Sequence, residues 1–580
     1  EFFVLSYFML VEYSSRWKEA HEVNGKQMAG DKDEYIRKMT GGYLPEDPSF
    51  TVRDVFSFSA ASYGDKVALI SPHEDREVTF TALNNRANKL ANALRTELGV
   101  AYRDIVAICS PNSTRFVELY GANSKIGATT APVPNLLKPK ELPVVLNNIG
   151  ARVLFLHPNR LEAFLEVEAE CRGVQRVVLL GGQDLEGQAA VVCDERGDKF
   201  CRYEALIAPQ PESEPEARVE SYDIYCLFLT SGTTGAPKSV MKNHRSILAG
   251  YQRFPFPMRI CFFNNLAWIG ASQMVLWLFL SGGLAIIQDG YEREKHVNAM
   301  IKYQCTISTG LPLFMRDLSL LPMDQVEQLR EHIKLITFGG GVIPAEIIVE
   351  VVRRFPSATV LHGYGSSESG SLMMNMIPAF SSDTLTEKER RMVCSVGKPV
   401  FGTRVKIVDP EGKELPQGEA GEIVCQGQGV MTGYFNNPEA TKEALRGGWL
   451  HMGDMGYFDE DGQLHICGRI KNVIIHELGV NVFPREIEDV LSTVEGVKDV
   501  TVVGCPHPDK IGERVVVFAV REDGAGVTEE NLLAKCKENL ADFKQPHAVF
   551  FLPEIPYSAN GKALKRELLE MDGLRSKVWA

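Results

Sequence analysis

Twelve cysteines are scattered through the 580 residues without a C-x-x-C pair or a zinc-ligand spacing, which excludes a disulfide framework and a structural zinc site. They are read as reduced thiols: many lie in apolar runs, such as Cys226 in Tyr-Cys-Leu-Phe-Leu, where a buried, unreactive thiol is the plain reading. Basic charge is in deficit. Lys and Arg number 62 against 75 Asp and Glu, for a net −13, which disfavours a broad nucleic-acid or anionic-membrane surface and leaves room only for a local basic phosphate site. Long hydrophobic runs are also missing. Residues Glu1 to Leu10 are apolar, but they are too short to span a bilayer and lack the basic lead of a signal peptide. A processed end and a docking segment both fit them. The apolar stretch around Trp277 to Leu280 is interrupted by Asn264, Asn265, Ser272 and Gln273, so a core helix is expected rather than a membrane span. The chain ends Ser576-Lys577-Val578-Trp579-Ala580, which is not a Ser-Lys-Leu peroxisomal tail, and an intracellular, cytoplasmic location is expected.

What is present is ample core. At 44% apolar residues, a chain of this length is expected to divide into about two to four domains or subdomains. Helix and strand patterns alternate through the first two-thirds, which points to layered α/β architecture. Leu83, Ala87, Leu90, Ala91, Leu94 and Leu98 keep to one helical face, with Gly99 as a stop. A buried strand is expected over 105–108, a helix over 115–125 and another strand over 151–156. Residues 181–222 are poor in signals, and 209–216 reads as an acidic, proline-bearing loop. From about 401 short alternating strands take over, joined by Asp409-Pro410-Glu411-Gly412 and Asp459-Glu460-Asp461-Gly462 turns, which suggests a small β subdomain. After Arg469 about 110 residues remain, enough for a small domain of its own.

One segment carries chemistry. The apolar strand 224–229 runs into Thr230-Ser231-Gly232-Thr233-Thr234-Gly235-Ala236-Pro237-Lys238. Hydroxyls that donate hydrogen bonds, glycines that admit backbone N–H groups and a terminal cation are the parts of a phosphate cradle. The spacing is G-x-x-G-x-P-K and not that of a Walker loop. A flexible Ser/Thr/Gly linker is the alternative, but a linker need not follow a buried strand or end in Pro-Lys.

This segment resembles the signature loop of the adenylate-forming superfamily, which holds acyl-CoA synthetases, nonribosomal-peptide adenylation domains and firefly luciferases; 4-coumarate-CoA-ligase-like enzymes are among the nearest. Ser239 stands where the family has its last Gly. Four further motifs follow in family order. His362-Gly363-Tyr364-Gly365-Ser366-Ser367-Glu368 is similar to Tyr-Gly-x-Thr-Glu; the resemblance implies a ring near adenine (Tyr364), a hydroxyl on the α-phosphate (Ser367 in place of Thr) and a Mg²⁺ carboxylate (Glu368). His451-Met452-Gly453-Asp454-Met455-Gly456 resembles Thr-Gly-Asp-x-Gly and implies that Asp454 holds both ribose hydroxyls, with Met452 where Thr is usual. Gly468-Arg469-Ile470-Lys471-Asn472 resembles the nucleotide-contacting and hinge motif, which makes Arg469 a nucleotide contact and Lys471 the hinge, with Asn472 in place of Asp. Pro556-Tyr557-Ser558-Ala559-Asn560-Gly561-Lys562 resembles P-x-T-x-x-G-K, which makes Lys562 the catalytic cation of adenylation. The stretches 421–424 and 433–436 are similar to a structural motif and are given no chemistry.

The implied fold is α/β: an N-terminal extension (1–49), a large AMP-binding domain (50–470) of layered α/β subdomains with a small β subdomain, and a small mobile α+β C-terminal domain (471–580) turning at Lys471. The implied ATP/AMP site comprises Thr230, Ser231, Gly232, Thr233, Thr234, Gly235, Lys238, Tyr364, Ser367, Asp454 and Arg469; the catalytic groups are Lys562, Glu368 and Lys471, with Glu368 the metal ligand. Asn264, Trp268, Gly339, Gly340, Gly341 and His362 match family pocket walls. No Asp occurs between Asp223 and Asp289, whereas amino-acid adenylation domains usually hold the substrate ammonium with one there, so a hydrophobic acid, fatty or aryl, is expected. The reaction implied uses ATP, Mg²⁺ and CoA: an acid is converted to acyl-AMP with release of pyrophosphate, then to acyl-CoA. A luciferase-like oxygenase, a carrier-protein-loading enzyme and an inert nucleotide-binding relative are the competing readings. Retention of Lys238, Glu368, Asp454, Arg469 and Lys562 argues against the last.

Overall fold

The structure is a computed structural model that describes residues 50–181, 187–230, 237–251, 254–341, 343, 345–378, 380, 385–476, 481–506, 512–557, 563–571 and 573–579. Of the expected site, Ser231, Gly232, Thr233, Thr234, Gly235 and Lys562 lie outside the described residues, as does the 1–49 extension.

Two large sheets carry the N-terminal part. The first has eight strands, in the spatial order Gly433–Tyr434, Lys238–Asn243, Ile224–Thr230, Thr129–Val133, Ile105–Cys109, Val153–Leu156, Arg176–Leu179 and Phe200–Arg202. Its strands from 105 to 202 pair in parallel, and such strands, covered on both faces, read as continuous apolar runs. The second sheet has nine strands and includes Ile307–Gly310, Leu335–Gly339 and Thr359–Ser366 side by side in parallel, with Gly370–Ile377 returning antiparallel. The expected 151–156 and 105–108 strands and the 115–125 helix fall within one or two residues of the observed Val153–Leu156, Ile105–Cys109 and Thr114–Ile126.

The Thr114–Ile126 helix is buried at every position but Arg115, so each of its polar side chains must find a partner inside the protein. Glu118 accepts from Arg86 at 2.8 Å, from Arg76 at 3.3 Å and from the Tyr203 hydroxyl at 2.5 Å. Burial alone would raise its pKa, but the two guanidinium groups outweigh burial and hold it below the usual carboxylate range. Lys125 reaches Ser57 at 3.1 Å and Glu214 at 3.2 Å.

Glu214 belongs to the 209–216 loop, which is tied down along its length. Its carboxylate meets Arg53 and, at 2.6 Å, Ser57. The carbonyls of Pro211, Glu212 and Ser213 accept from Asn92 and Asn88 at 2.7–3.1 Å, and that of Glu216 from Arg95 at 2.9 Å. The loop is therefore a strap over the Val52–Tyr63 and Phe80–Thr96 helices. Upstream of it the signal-poor region holds a helix (Gly187–Glu195), a strand (Phe200–Arg202) and a second helix (Tyr203–Ile207). Elements this short have little intrinsic stability, and the strand exists through pairing with Arg176–Leu179.

The expected β subdomain is a four-stranded antiparallel sheet, Thr403–Val408, Gly421–Gly427, Leu450–Phe458 and Leu464–Arg469. The 459–462 turn forms as read: Asp459 Oδ1 accepts from the N–H groups of Asp461 and Gln463 at 3.0 and 2.9 Å. Beyond it, Val497–Pro506, Glu513–Arg521 and Ala548–Phe551 form a three-stranded sheet. It shares an apolar core of its own with the Pro484–Leu491 and Glu529–Asn539 helices, including Ile487, Leu491, Val515, Val517 and Leu532. Among the described residues no helix is long and apolar enough to cross a membrane.

Candidate active site

Asp454 and Arg469 stand fifteen residues apart in sequence, yet they are cross-strand partners in the Leu450–Phe458/Leu464–Arg469 hairpin. Arg469 Nε lies 2.8 Å from Asp454 Oδ1 and its Nη1 donates to the Met452 carbonyl at 3.2 Å. The other carboxylate oxygen, Oδ2, accepts from the Tyr364 hydroxyl at 2.6 Å, and Tyr364 comes from the nine-stranded sheet. Burial and then the Asp454 charge push the Tyr364 pKa well up, so this hydroxyl stays a donor. Asp454 is only 5% exposed. A carboxylate can accept hydrogen bonds on both oxygens, the residue type a ribose diol requires.

A second constellation surrounds Glu368. Ser367, Glu368 and Ser369 form the tip of the hairpin between Thr359–Ser366 and Gly370–Ile377. Ser366 and Ser369 brace it through mutual side-chain to backbone bonds of 2.9 and 3.2 Å. Gly365 is required there: a Cβ on it would lie 2.0 Å from the Gly370 carbonyl oxygen. Glu368 Oε1 accepts from the Tyr434 hydroxyl at 2.9 Å and the Glu368 carbonyl from Met431 N at 2.7 Å. Tyr434 pairs beside the phosphate-loop strand through Val240, and Lys238 Nζ sits 4.8 Å from the centre of its ring. Thr230 Oγ1 donates to the Lys238 carbonyl at 3.3 Å and closes the two ends of the loop on each other. The two constellations meet electrostatically: burial first, then Glu368, raises the Tyr434 pKa, while Arg469 opposes the rise.

Glu368 has the chemistry of a magnesium ligand. Among the described residues no three His, Cys, Asp or Glu side chains gather into a metal cage. One or two carboxylates suffice to hold Mg²⁺ when its remaining ligands are water and substrate phosphate oxygens.

Of the expected pocket residues, Gly339 and His362 lie in the nine-stranded sheet, on opposite faces of it. Thr309, Thr337 and Leu361 are in register on one face, and Thr309 touches Met274 of the Ile269–Leu280 helix there. Gly310, Phe338 and His362 are in register on the other. His362 stacks on Phe338 at 4.7 Å, and its Nδ1 lies 3.2 Å from the Ser395 carbonyl. Burial, helped by the nearby Arg485, lowers its pKa to about 4, so the ring is neutral. Gly339 is pressed against the neighbouring strand, where a Cβ would meet the Gly363 carbonyl oxygen at 2.5 Å; a Cβ on Gly340 or Gly341 would meet the side chains of Leu311 at 3.2 Å and Pro312 at 2.8 Å, with Gly340 at φ +78°. The Asn264 carbonyl accepts from Asn112 Nδ2 at 3.0 Å, while its own Oδ1 is buried without a partner among the described residues. Trp268 is the N-terminal flank of the Ile269–Leu280 helix. Lys471 is exposed in a short turn, Ile470–Asn472, directly after Arg469.

Sequence reading passed over Tyr434 and Lys242. Tyr434 stood in a stretch given no chemistry; Lys242 lies four residues past Lys238, a strand spacing that puts both on one face. Lys242 is fully buried, and its ammonium donates to the Gly429 carbonyl.

Comparison with known proteins agrees with this geometry. Residues 56–435 match the AMP-binding enzyme family and residues 486–562 the AMP-binding enzyme C-terminal domain. A long-chain-fatty-acid–CoA ligase of Escherichia coli is 31% identical over 562 residues, covering 90% of this chain and 95% of that one. A 4-coumarate–CoA ligase 3 of Oryza sativa is 28% identical, covering 90% and 92%. In fold, the chain is similar to ATP-bound MatB from Rhodopseudomonas palustris (TM-score 0.76, 26% identity, 89% and 98% covered). It is also similar to an anthranilate CoA ligase, AuaEII, in complex with anthranoyl-AMP (TM-score 0.77, 24% identity, 90% and 97% covered). The chain belongs to the AMP-binding enzyme family, within the adenylate-forming superfamily. It is a ligase, with the large N-terminal and small C-terminal α/β domains of those enzymes.

Proposed function

We propose that the protein is an ATP-dependent acid–thiol ligase that converts a hydrophobic carboxylic acid, fatty or aryl, to acyl-AMP with release of pyrophosphate, then transfers the acyl group to CoA. The observation that carries this reading is Asp454, a buried carboxylate held from both sides by Tyr364 and Arg469, as a ribose-binding carboxylate would be. A carboxylate resists substitution because oxide is a poor leaving group; joining it to AMP supplies a good one. Charge grows on the α-phosphate as the carboxylate attacks, and fixed cations and donors aimed at it provide the largest stabilisation available to such a transfer. Lys238, Ser367 and the loop hydroxyls fill that role, with Lys562 delivered from the C-terminal domain. Mg²⁺ at Glu368 neutralises phosphate charge when bound. In the second half-reaction the 471–580 domain turns about Lys471, withdraws Lys562 and admits the thiol. Names among the relatives, long-chain fatty acid and 4-coumarate, favour an apolar acid, as does the absence of Asp from 224–288.

The test is carboxylate-dependent exchange of pyrophosphate into ATP across acids from acetate through fatty to cinnamate types, with CoA consumption as the second readout. Exchange with an apolar acid and thioester formation are expected. ATP binding without exchange on any acid would leave an inert nucleotide-binding relative instead.

A further inference from the structure

Lys242 belongs to the phosphate-loop strand, Lys238–Asn243, in which Lys238, Val240 and Lys242 share the face opposite Ser239 and Met241. It is 0% exposed. Burying an ammonium is expensive unless its donors are used, and an aliphatic side chain would fill the same place beside Val240 without that cost. The ammonium is bound to the carbonyl of Gly429, and burial lowers its pKa to about 7 against the opposing pull of Glu368.

Gly429 opens a short segment that touches the Glu368 turn at three points. A Cβ on Gly429 would lie 2.8 Å from the Ser369 carbonyl oxygen, so the two backbones are in direct contact. Two residues on, Met431 N donates to the Glu368 carbonyl at 2.7 Å, and three further on the Tyr434 hydroxyl donates to Glu368 Oε1 at 2.9 Å. The far end of the segment is stitched to the phosphate-loop strand by Thr432 N to the Met241 carbonyl at 3.0 Å and Phe435 N to the Ser239 carbonyl at 2.8 Å. Its near end is held to that strand by Lys242.

We propose that Lys242 is a positioning residue: by anchoring Gly429 it fixes the 429–434 segment, which fixes the Glu368 carboxylate relative to the phosphate loop, so that metal and phosphate are received in one geometry. The proposal rests on the reading of Glu368 as the metal carboxylate.

Calorimetric binding of ATP to the full chain, without acid, in Mg²⁺ and in EDTA tests it. In Lys242→Met the tightening that Mg²⁺ brings should fall about 10-fold, the size of one lost charged hydrogen bond, while binding in EDTA stays within about 2-fold. Tyr434→Phe should show a similar loss, and the double variant no more than the larger single, because both act through one segment. Equal weakening with and without Mg²⁺, or additive losses, would overturn the proposal. Lys242→Gln, which keeps an N–H donor, is the second variant; if neither variant folds, the role is structural and the proposal fails. Glu368→Gln separates the two readings. If it leaves the Mg²⁺ response intact, the metal assignment is wrong. If it abolishes the response while Lys242→Met does not, the assignment stands and the role given to Lys242 falls.

Discussion

The Tyr364 hydroxyl and Asp454 Oδ2 are 2.6 Å apart although the two residues come from different sheets, so the carboxylate is oriented before any nucleotide arrives. Tyr364→Phe should raise the ATP KM of pyrophosphate exchange about 5- to 10-fold, the worth of one hydrogen bond to a charged group. On the proposed reading, in which Asp454 accepts from both ribose hydroxyls, Asp454→Ala should raise it on the order of 100-fold. Unchanged KM values in both variants would place the ribose elsewhere.

Lys562 and Lys471 should separate the two half-reactions. Lys562→Ala is expected to slow exchange on the order of 10²–10³-fold, the cost of removing one preorganised group from a charged transition state. Lys471→Ala should leave exchange within a few-fold and slow transfer from preformed acyl-AMP to CoA. Parallel loss of both half-reactions in each variant would contradict the division of labour.

Two buried histidines outside the site contribute to the acid limit of stability. His244 and His296 have pKa values lowered by burial from 6.5 to about 4 and about 3. Their contribution is fully present above the unfolded value. Below it the unfolded chain binds protons that the folded chain refuses, so stability falls as pH drops toward the folded values, by up to about 1.4 kcal/mol per pH unit for each ring. Denaturant midpoints should decline between about pH 7 and about pH 5, and more gently in His296→Phe. An identical slope in that variant would remove His296 from the account.

The Glu118 network predicts a large stability effect far from any chemistry. Glu118→Gln keeps a partner for Tyr203 but leaves Arg86 and Arg76 facing a neutral group. Because both guanidinium groups reach solvent in part, the loss should lie toward the lower end of the about 3–5 kcal/mol that follows when a buried pair is broken. Urea denaturation measures it, and a loss below about 1 kcal/mol would show that the network relaxes.

Much of the candidate site was legible because its parts are short runs whose residue types suit phosphate, ribose and metal chemistry. Thr230 and Lys238 could be named from their own loop, whereas Tyr364, Glu368, Asp454 and Arg469 are named by resemblance to the family's motifs, and the 459–462 turn that brings Asp454 opposite Arg469 announces itself through Asp and Gly. The elements missed are those whose meaning is set by distant partners. Tyr434 becomes a Glu368 contact only because its strand pairs with the phosphate-loop strand, and Lys242 reads as a surface charge until Gly429 is seen above it. The strand Phe200–Arg202 is three residues long, too short for any period to show. Where local chemistry was strong, as at the strands 105–109 and 153–156, boundaries agreed closely. His362 shows the converse: its motif is plain, but which face of the sheet it occupies is fixed by register with Phe338.

Proline, glutamate and serine at 209–216 give a run that a protease would be expected to nick first, exposed at most of its positions and without helix or strand. Cleavage requires the chain to lift away from its support, and here lifting would strip Lys125, which is 0% exposed, of its carboxylate and free the side chains of Asn88 and Asn92 together. Opening of this segment is thereby linked to loosening of the two helices beneath it. Resistance to digestion at 209–216 should track the stability of that whole layer, and a fragment beginning near residue 217 would report that the layer itself had come apart.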